Sequence, residues 1–529
     1  MAVRSGGRDH ALAPAGAGWF EGAVPGAGDG TRYAMVLDGG RVRPDPASRR
    51  QPEGVHEASQ LFDPRRHVWG DAAWKGLPRE QLVFYELHVG TFTEEGTLEA
   101  AAARLPDLVE LGVTCVELMP LQPFPGERNW GYDGVAPYAV HERYGGPPAL
   151  QRFVDRAHGL GLAVCLDVVY NHLGPEGNYL PDLAPWFTER HRSPWGDGLD
   201  FDGPDARCTR SFMVGAAVHW VRDFHVDALR LDATHAIEDG SSRHLVAELC
   251  EAVLAAGEAA GRRVHVVAED ERNDRKVLDP PPGGWGASAV WADDLHHAIH
   301  ALLTGERGLF LQDYGSPALV ARALAAGFAY QGEFSSYRGR RHGTDPLGLS
   351  PSRFVACLQN HDQVGNRPLG ERLSTLVPWE ALHPMSALLL LGSALPLLFM
   401  GEEYGETRPF LYFASHSDPD LARAVSEGRR RAFIAAGVVA APDPQDPETF
   451  RRSKLSHRRD GRHGALREHH RALLALRRKH GAAIAERWPE VGREGTAFTL
   501  RRLGLEVRAN LGPAAAGGLG PWGWDVRER

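Results

Sequence analysis

Arg230 and Asp232 stand two residues apart at the end of an apolar run, Val226-Asp227-Ala228-Leu229-Arg230-Leu231-Asp232. On a β-strand, positions i and i+2 share a face, so a guanidinium there lies beside a carboxylate and keeps it ionised. Such a carboxylate can act as a nucleophile if a proton-donating acid stands opposite it. Further acids end other apolar runs. Asp167 is followed by Val168-Val169-Tyr170-Asn171-His172, Glu269 follows Val264 to Ala268, Asp362 closes Asn360-His361-Asp362, and Glu402-Glu403 end another. A single Asp at a strand end has an ordinary task, capping the next helix. Capping does not call for an Arg two residues before the Asp together with a Glu at the end of the following run. Asp232, Glu269 and Asp362, with His172, Arg230 and His361, therefore read as one reaction site. Two facing carboxylates suit cleavage of a glycosidic bond, one attacking the anomeric carbon while the other protonates the leaving oxygen. Neighbouring barrel strands can hold two such groups about 5–5.5 Å apart, the spacing of a retaining mechanism. Asp232 is then the expected nucleophile, and Glu269, preceded by apolar residues, the expected acid and subsequent base. Asp362 is expected to hold sugar hydroxyls with help from His172 and His361. Asn129-Trp130-Gly131-Tyr132-Asp133 offers aromatic surface for a sugar face.

The elements that must position these groups follow from eight apolar runs: Leu82 to Leu87, Val113 to Leu118, Leu162 to Asp167, Asp227 to Asp232, Val264 to Glu269, Ser288 to Trp291, Phe354 to Leu358 and Leu395 to Met400. Amphipathic stretches such as Ala149 to Gly159 and Ser241 to Gly257 lie between most of them. Eight β/α units predict a (β/α)8 TIM barrel, an α/β fold, ahead of a doubly wound sheet. Residues 1–78, rich in Gly, Pro and Ala, predict a small β domain; residues 79–480 the barrel, with an inserted loop region at about 173–210; residues 481–529 a short β domain. Ala465 to His480 predicts a last, basic helix.

Bulk properties narrow the classes. Hydrophobic residues make up 43% and charged residues 24%, as in a soluble globular protein. The net charge of −9 argues against a nucleic-acid partner, whose binding protein would carry a basic face. A neutral ligand such as a sugar fits this balance. Among the cysteines, Cys115, Cys165 and Cys357 fall inside apolar runs and read as reduced core residues of a cytosolic protein, with no disulfide framework, metal site or cofactor expected. The first twenty residues lack the apolar core of a signal peptide. Met385 to Met400 is apolar but broken by Gly392 and Pro396, and too short to span a membrane.

Asp167-Val168-Val169-Tyr170-Asn171-His172, Leu229-Arg230-Leu231-Asp232-Ala233, Val267-Ala268-Glu269 and Gln359-Asn360-His361-Asp362 resemble, in order, the short motifs of the α-amylase superfamily, glycoside hydrolase family 13. Within it, Pro44 to His56, Tyr85 to Thr93, Asp232 to Ile237, Asp293 to His300, Asn360 to Arg367, Phe399 to Glu406 and Asp443 to Phe450 resemble the malto-oligosyltrehalose trehalohydrolase family over nearly the whole chain. That resemblance implies hydrolysis of the α-1,4 bond next to a terminal trehalose unit. It implies Asp232 as nucleophile, Glu269 as proton donor and Asp362 as transition-state stabiliser. Substrate contacts are implied for Tyr132, His172, Arg230, Leu231, Ala233, Thr234, His235, Asp294, His296, His300, His361, Gln363 and Asn366. It also implies a partner synthase that makes the malto-oligosyltrehalose substrate. Against the family pattern, both small β domains read as shortened. A glycogen branching or debranching enzyme shares the acids, and a non-catalytic glucan-binding protein is the alternative of another class.

Overall fold

The computed structural model describes residues 1–528 apart from Ala17, Pro194, Trp195, Ala436 and residues 438–440. Eight strands form its centre: β1 (Phe84–Leu87), β2 (Cys115–Leu118), β3 (Ala163–Val168), β4 (Ala228–Leu231), β5 (His265–Glu269), β6 (Ala289–Trp291), β7 (Phe354–Cys357) and β8 (Leu395–Phe399). Each runs parallel to the next, and β8 returns to β1 to close the barrel. Helices cover the outside and side chains fill the inside, so these strands are buried on both faces. That double burial is why they read as continuous apolar runs and not as alternating ones.

The helix Gly146–Gly159 between β2 and β3 shows how the sequence sets one unit. Gly145 takes a left-handed φ of 106°, Pro147 sits in the first turn, and Leu150, Phe153, Val154 and Ala157 form the buried face. The long apolar segment before β8 divides into a buried helix, Leu382–Leu390, and the strand itself. Between β3 and the helix Ala206–Asp223, the inserted segment forms an antiparallel pair, Phe187–Ser193 with Gly196–Leu199. An N-terminal sheet and a four-stranded C-terminal sheet, Glu490–Glu494 to Trp524–Glu528, flank the barrel.

Two polar clusters tie distant segments together. Glu176, in the insert, accepts from His416 Nδ1 and the Ser417 amide at 3.1 Å each and lies 3.3 Å from His56 Nε2. At the opposite, N-terminal end of the strands, His158 bonds Asp71 through Nδ1 and Asp227 through Nε2, both at 2.8 Å. Trp74 stacks on the His158 ring and donates to Asp227 Oδ1 at 2.8 Å. His225 reaches the same Asp71 oxygen at 2.8 Å. This cluster fastens the approach segment to the barrel floor.

All five cysteines are free thiols, and Cys115, Cys165 and Cys357 lie on barrel strands. Among the described residues no helix is long and apolar enough to cross a membrane.

Candidate active site

Arg230 is fully buried at the end of β4 and organises the mouth of the barrel. Its Nη1 donates to both oxygens of Asp167, at 2.9 and 2.8 Å, and to Asp232 Oδ1 at 2.8 Å. Its Nη2 forms an ion pair with Glu269 Oε2 at 2.8 Å. Trp291, at the end of β6, covers the guanidinium with its ring centre 4.2 Å away. The i, i+2 pairing of Arg230 with Asp232 is therefore present, but one cation serves carboxylates from three strands. Burial pushes the Asp167 carboxyl up to about 7, against the pull of Arg230.

The other oxygen of Asp232 is held by Asn171, whose Nδ2 donates to Oδ2 at 2.6 Å and to the Asp232 carbonyl at 2.9 Å. The Asn171 oxygen meets His172 Nδ1 at 2.5 Å, and His172 Nε2 meets the Tyr132 carbonyl at 3.0 Å. Beyond Asp232 the chain makes a strained turn: Ala233 has φ 40° and ψ 53°, a left-handed conformation costly for a residue with a Cβ. The turn aims the Ala233 amide at Glu269 Oε2, 2.7 Å away. Thr234 secures it by donating to the Glu269 carbonyl at 2.7 Å and to Asp270 at 3.0 Å.

Glu269 ends β5. The apolar run leads up to it, but its own Oε2 lies among polar donors, while Oε1 makes no hydrogen bond among the described residues. Asp362 stands in the first turn of the short helix His361–Gly365, capped by Asn360. It is 37% exposed, more open than the other two acids, and its Oδ1 accepts from Asn366 at 3.1 Å.

His361 joins the two halves of the mouth. Glu86 of β1 accepts from its amide at 3.0 Å and meets Nδ1 at 2.5 Å. Its Nε2 lies 2.7 Å from the Tyr132 hydroxyl, which in turn donates to Asp167 at 2.6 Å. Burial opposes a charge on His361, yet Asp362 and Glu86 outweigh it and push the ring up to about 10.

The structure thus brings together Tyr132, His172, Arg230, Asp232, Ala233, Thr234, Glu269, His361, Asp362 and Asn366. His235 is half-buried beside them with Nδ1 shielded and without a partner among the described residues, and Gln363 lends its amide to the Asn360 cap. Four expected contacts have other tasks. Leu231 packs in the apolar layer outside the barrel because it alternates with Arg230 and Asp232. Asp294 is buried, accepting from Asn273 at 2.8 Å, from the Tyr330 amide at 3.1 Å, and from the Tyr314 hydroxyl. His296 bonds the Leu358 carbonyl, and His300 pairs with Glu306 at 2.9 Å. Sequence reading missed Glu86, although a charged residue in the middle of an apolar run was a visible signal. Among the described residues no group of three or more His, Cys, Asp or Glu side chains is arranged to hold a metal ion.

Residues 64–194 match the family model of the alpha amylase catalytic domain. A malto-oligosyltrehalose trehalohydrolase of Rhizobium sp. (strain M-11) is 45% identical, over 93% of this chain and 83% of its own length. The chain belongs to the malto-oligosyltrehalose trehalohydrolase family. A member of that family from Mycobacterium tuberculosis is 42% identical over 96% of this chain and 90% of its own. A solved structure from Salmonella typhimurium, assigned as an alpha amylase, superimposes with a TM-score of 0.93 at 42% identity, over 99% of this chain and 95% of that one. Family membership makes the protein a glycosidase of the α-amylase superfamily.

Proposed function

We propose that the protein is a retaining glycoside hydrolase that cuts the α-1,4-glucosidic bond next to the terminal trehalose of malto-oligosyltrehalose, releasing trehalose and a malto-oligosaccharide. One observation carries the chemistry: a single guanidinium lies 2.8 Å from Asp232 Oδ1 and 2.8 Å from Glu269 Oε2. Two carboxylates on one guanidinium suit the roughly 5–5.5 Å separation of retaining enzymes. In this reading Asp232 attacks the anomeric carbon while Glu269 gives its proton to the departing oxygen. Glu269 then takes a proton from the water that hydrolyses the glycosyl ester on Asp232. Glu269 Oε1, without a partner among the described residues, is the oxygen suited to that exchange. Asp362, the most exposed of the three acids, receives hydroxyls of the distorted ring, with Tyr132, His172, His235, His361, Gln363 and Asn366 around it. An open cleft of about 410 Å³, lined by His172, Asn178, Trp186 and Phe187, is suited to further glucose units.

The trehalose end of the substrate follows the name shared by relatives at 41–45% identity. A malto-oligosyltrehalose synthase is then the partner that supplies it, and the free thiols suit a cytoplasmic setting. The deciding experiment offers maltotriosyl-trehalose and plain maltopentaose separately and identifies the products. Trehalose from the first, with little action on the second, is the expected outcome. Brisk cleavage of plain maltodextrin, or formation of new α-1,6 branches, would replace this reading with that of an amylase or a branching enzyme.

A further inference from the structure

Asp293 lies two residues beyond Trp291, whose backbone pairs with Glu269 and whose ring covers Arg230. The end of β6 therefore delivers Asp293 to the reacting end of the barrel. It immediately precedes the helix Asp294–Thr304, where an Asp ordinarily caps through its side chain. This one makes no cap bond. Nor does its carboxyl form any hydrogen bond or ion pair among the described residues, although it is only partly exposed. Its neighbour Asp294 is the opposite case, buried and bonded to Asn273, Tyr314 and the amides of Ala329 and Tyr330.

The groups facing Asp293 come from four elements. Glu269 ends β5, Asp362 follows β7, and Asp294 stands on the same helix; the cation is Arg230 of β4. Arg230 is already in contact with Asp167, Asp232 and Glu269. Burial, reinforced by Glu269 and Asp362, pushes the Asp293 carboxyl up to about 8. A carboxylic acid that keeps its proton both donates and accepts a hydrogen bond, as a sugar hydroxyl requires of its partner.

We propose that Asp293 is a further substrate-positioning residue of this site, hydrogen-bonded to a hydroxyl of the glucose unit seated between Glu269 and Asp362. The inference rests on the glycosidase reading and names one of its substrate contacts. Its sign with pH follows from the raised value: the donor is present below about 8 and is lost as pH rises through it.

The test compares kcat/KM on maltotriosyl-trehalose for wild type, Asp293→Asn and Asp293→Ala, between about pH 6 and about pH 9.5, with melting temperatures measured alongside. Asn keeps the shape and a donor, so near pH 6 it should stay within about threefold of wild type, while Ala loses about tenfold or more, mainly through KM. Above neutrality only wild type ionises here, so the wild-type-to-Asn ratio should fall by about tenfold across the range, leaving Asn the faster at the alkaline end. A wild-type-to-Asn ratio that does not change with pH overturns the proposal. So does an Asn variant as impaired as Ala at every pH, since that would mean the charged carboxylate is needed. Should Ala not fold, the Asn ratio decides alone. Should wild type release no trehalose yet cut maltopentaose, the same ratio is read on maltopentaose. The trehalose reading then fails while Asp293 is judged separately.

Discussion

The two ends of the barrel carry the same kinds of residue at the same bond lengths and do different work. At the floor, His158 is 0% exposed between Asp71 and Asp227, and both Asp227 oxygens are engaged, one by Trp74 and the other by His158 and the Val164 amide. At the mouth, Arg230 gathers Asp167, Asp232 and Glu269, yet among the described residues Glu269 Oε1 and the Asp293 carboxyl have no partner, and Asp362 is open to solvent. At the floor one oxygen, Asp71 Oδ1, is left without a partner among the described residues, because His158 and His225 share Oδ2, and a cluster so nearly satisfied holds segments together. One that leaves several acceptors unused at the C-terminal ends of barrel strands is built to meet a ligand. Residue type alone does not separate the two, whereas the count of uncommitted oxygens does.

The largest effect expected of that contrast is at the mouth. Glu269→Gln should lower kcat by roughly 10²–10⁴-fold or more while substrate still binds. Turnover by this variant close to wild type would remove Glu269 from the acid role and with it the distinction between the ends. At the floor, His158→Ala removes its hydrogen bonds to two buried carboxylates, at a cost of about 1–3 kcal/mol in stability for each acceptor left without it. Urea unfolding should show that loss, while kcat of the folded fraction stays within about twofold of wild type. A fall in kcat without a fall in stability would mean that the floor takes part in catalysis.

The smallest effect lies in pH. Burial works against Asp71, but its bonds to His225 and His158 prevail and lower its carboxyl. Its contribution to stability is therefore complete above the ordinary carboxylate range and is lost as pH falls through the lowered value. His361 behaves in the opposite sense: raised to about 10, it contributes fully below its ordinary range and is lost as pH rises through about 10. Melting temperature should therefore fall first in acid, less so in His158→Ala, while kcat/KM fails first in alkali. One shared pH window for both losses would erase the comparison.

Much of this was legible in the residues. All eight strands stood out as apolar runs because burial on both faces leaves no polar alternation to confuse them. Asp232, Glu269 and Asp362 were singled out because each ends such a run or the loop after it. What was hidden depends on direction rather than on spacing. Asp293 and Asp294 are neighbours of one type at a helix start, and the sequence favoured the one that turned inward to Tyr314 and Asn273. Arg230 was paired with the acid two places along. Asp167 reaches it only through the register of β3 against β4, which no local pattern encodes. The left-handed turn at Ala233 gave no signal because a glycine, the usual marker, is absent there.

The clamp between Glu86 and His361 joins residues 275 positions apart. A ribosome adding about 5–20 residues per second leaves Glu86 without that partner for roughly fifteen to fifty-five seconds after it is made. During synthesis β1 therefore carries a carboxylate that the finished barrel buries, and it cannot close against β8 until more than three hundred further residues have emerged. The floor is ready much sooner, because Asp71, His158 and Asp227 all lie in the first half of the chain. The nascent protein can thus fasten its base early, while its reaction site waits for His361 and Asp362 to emerge.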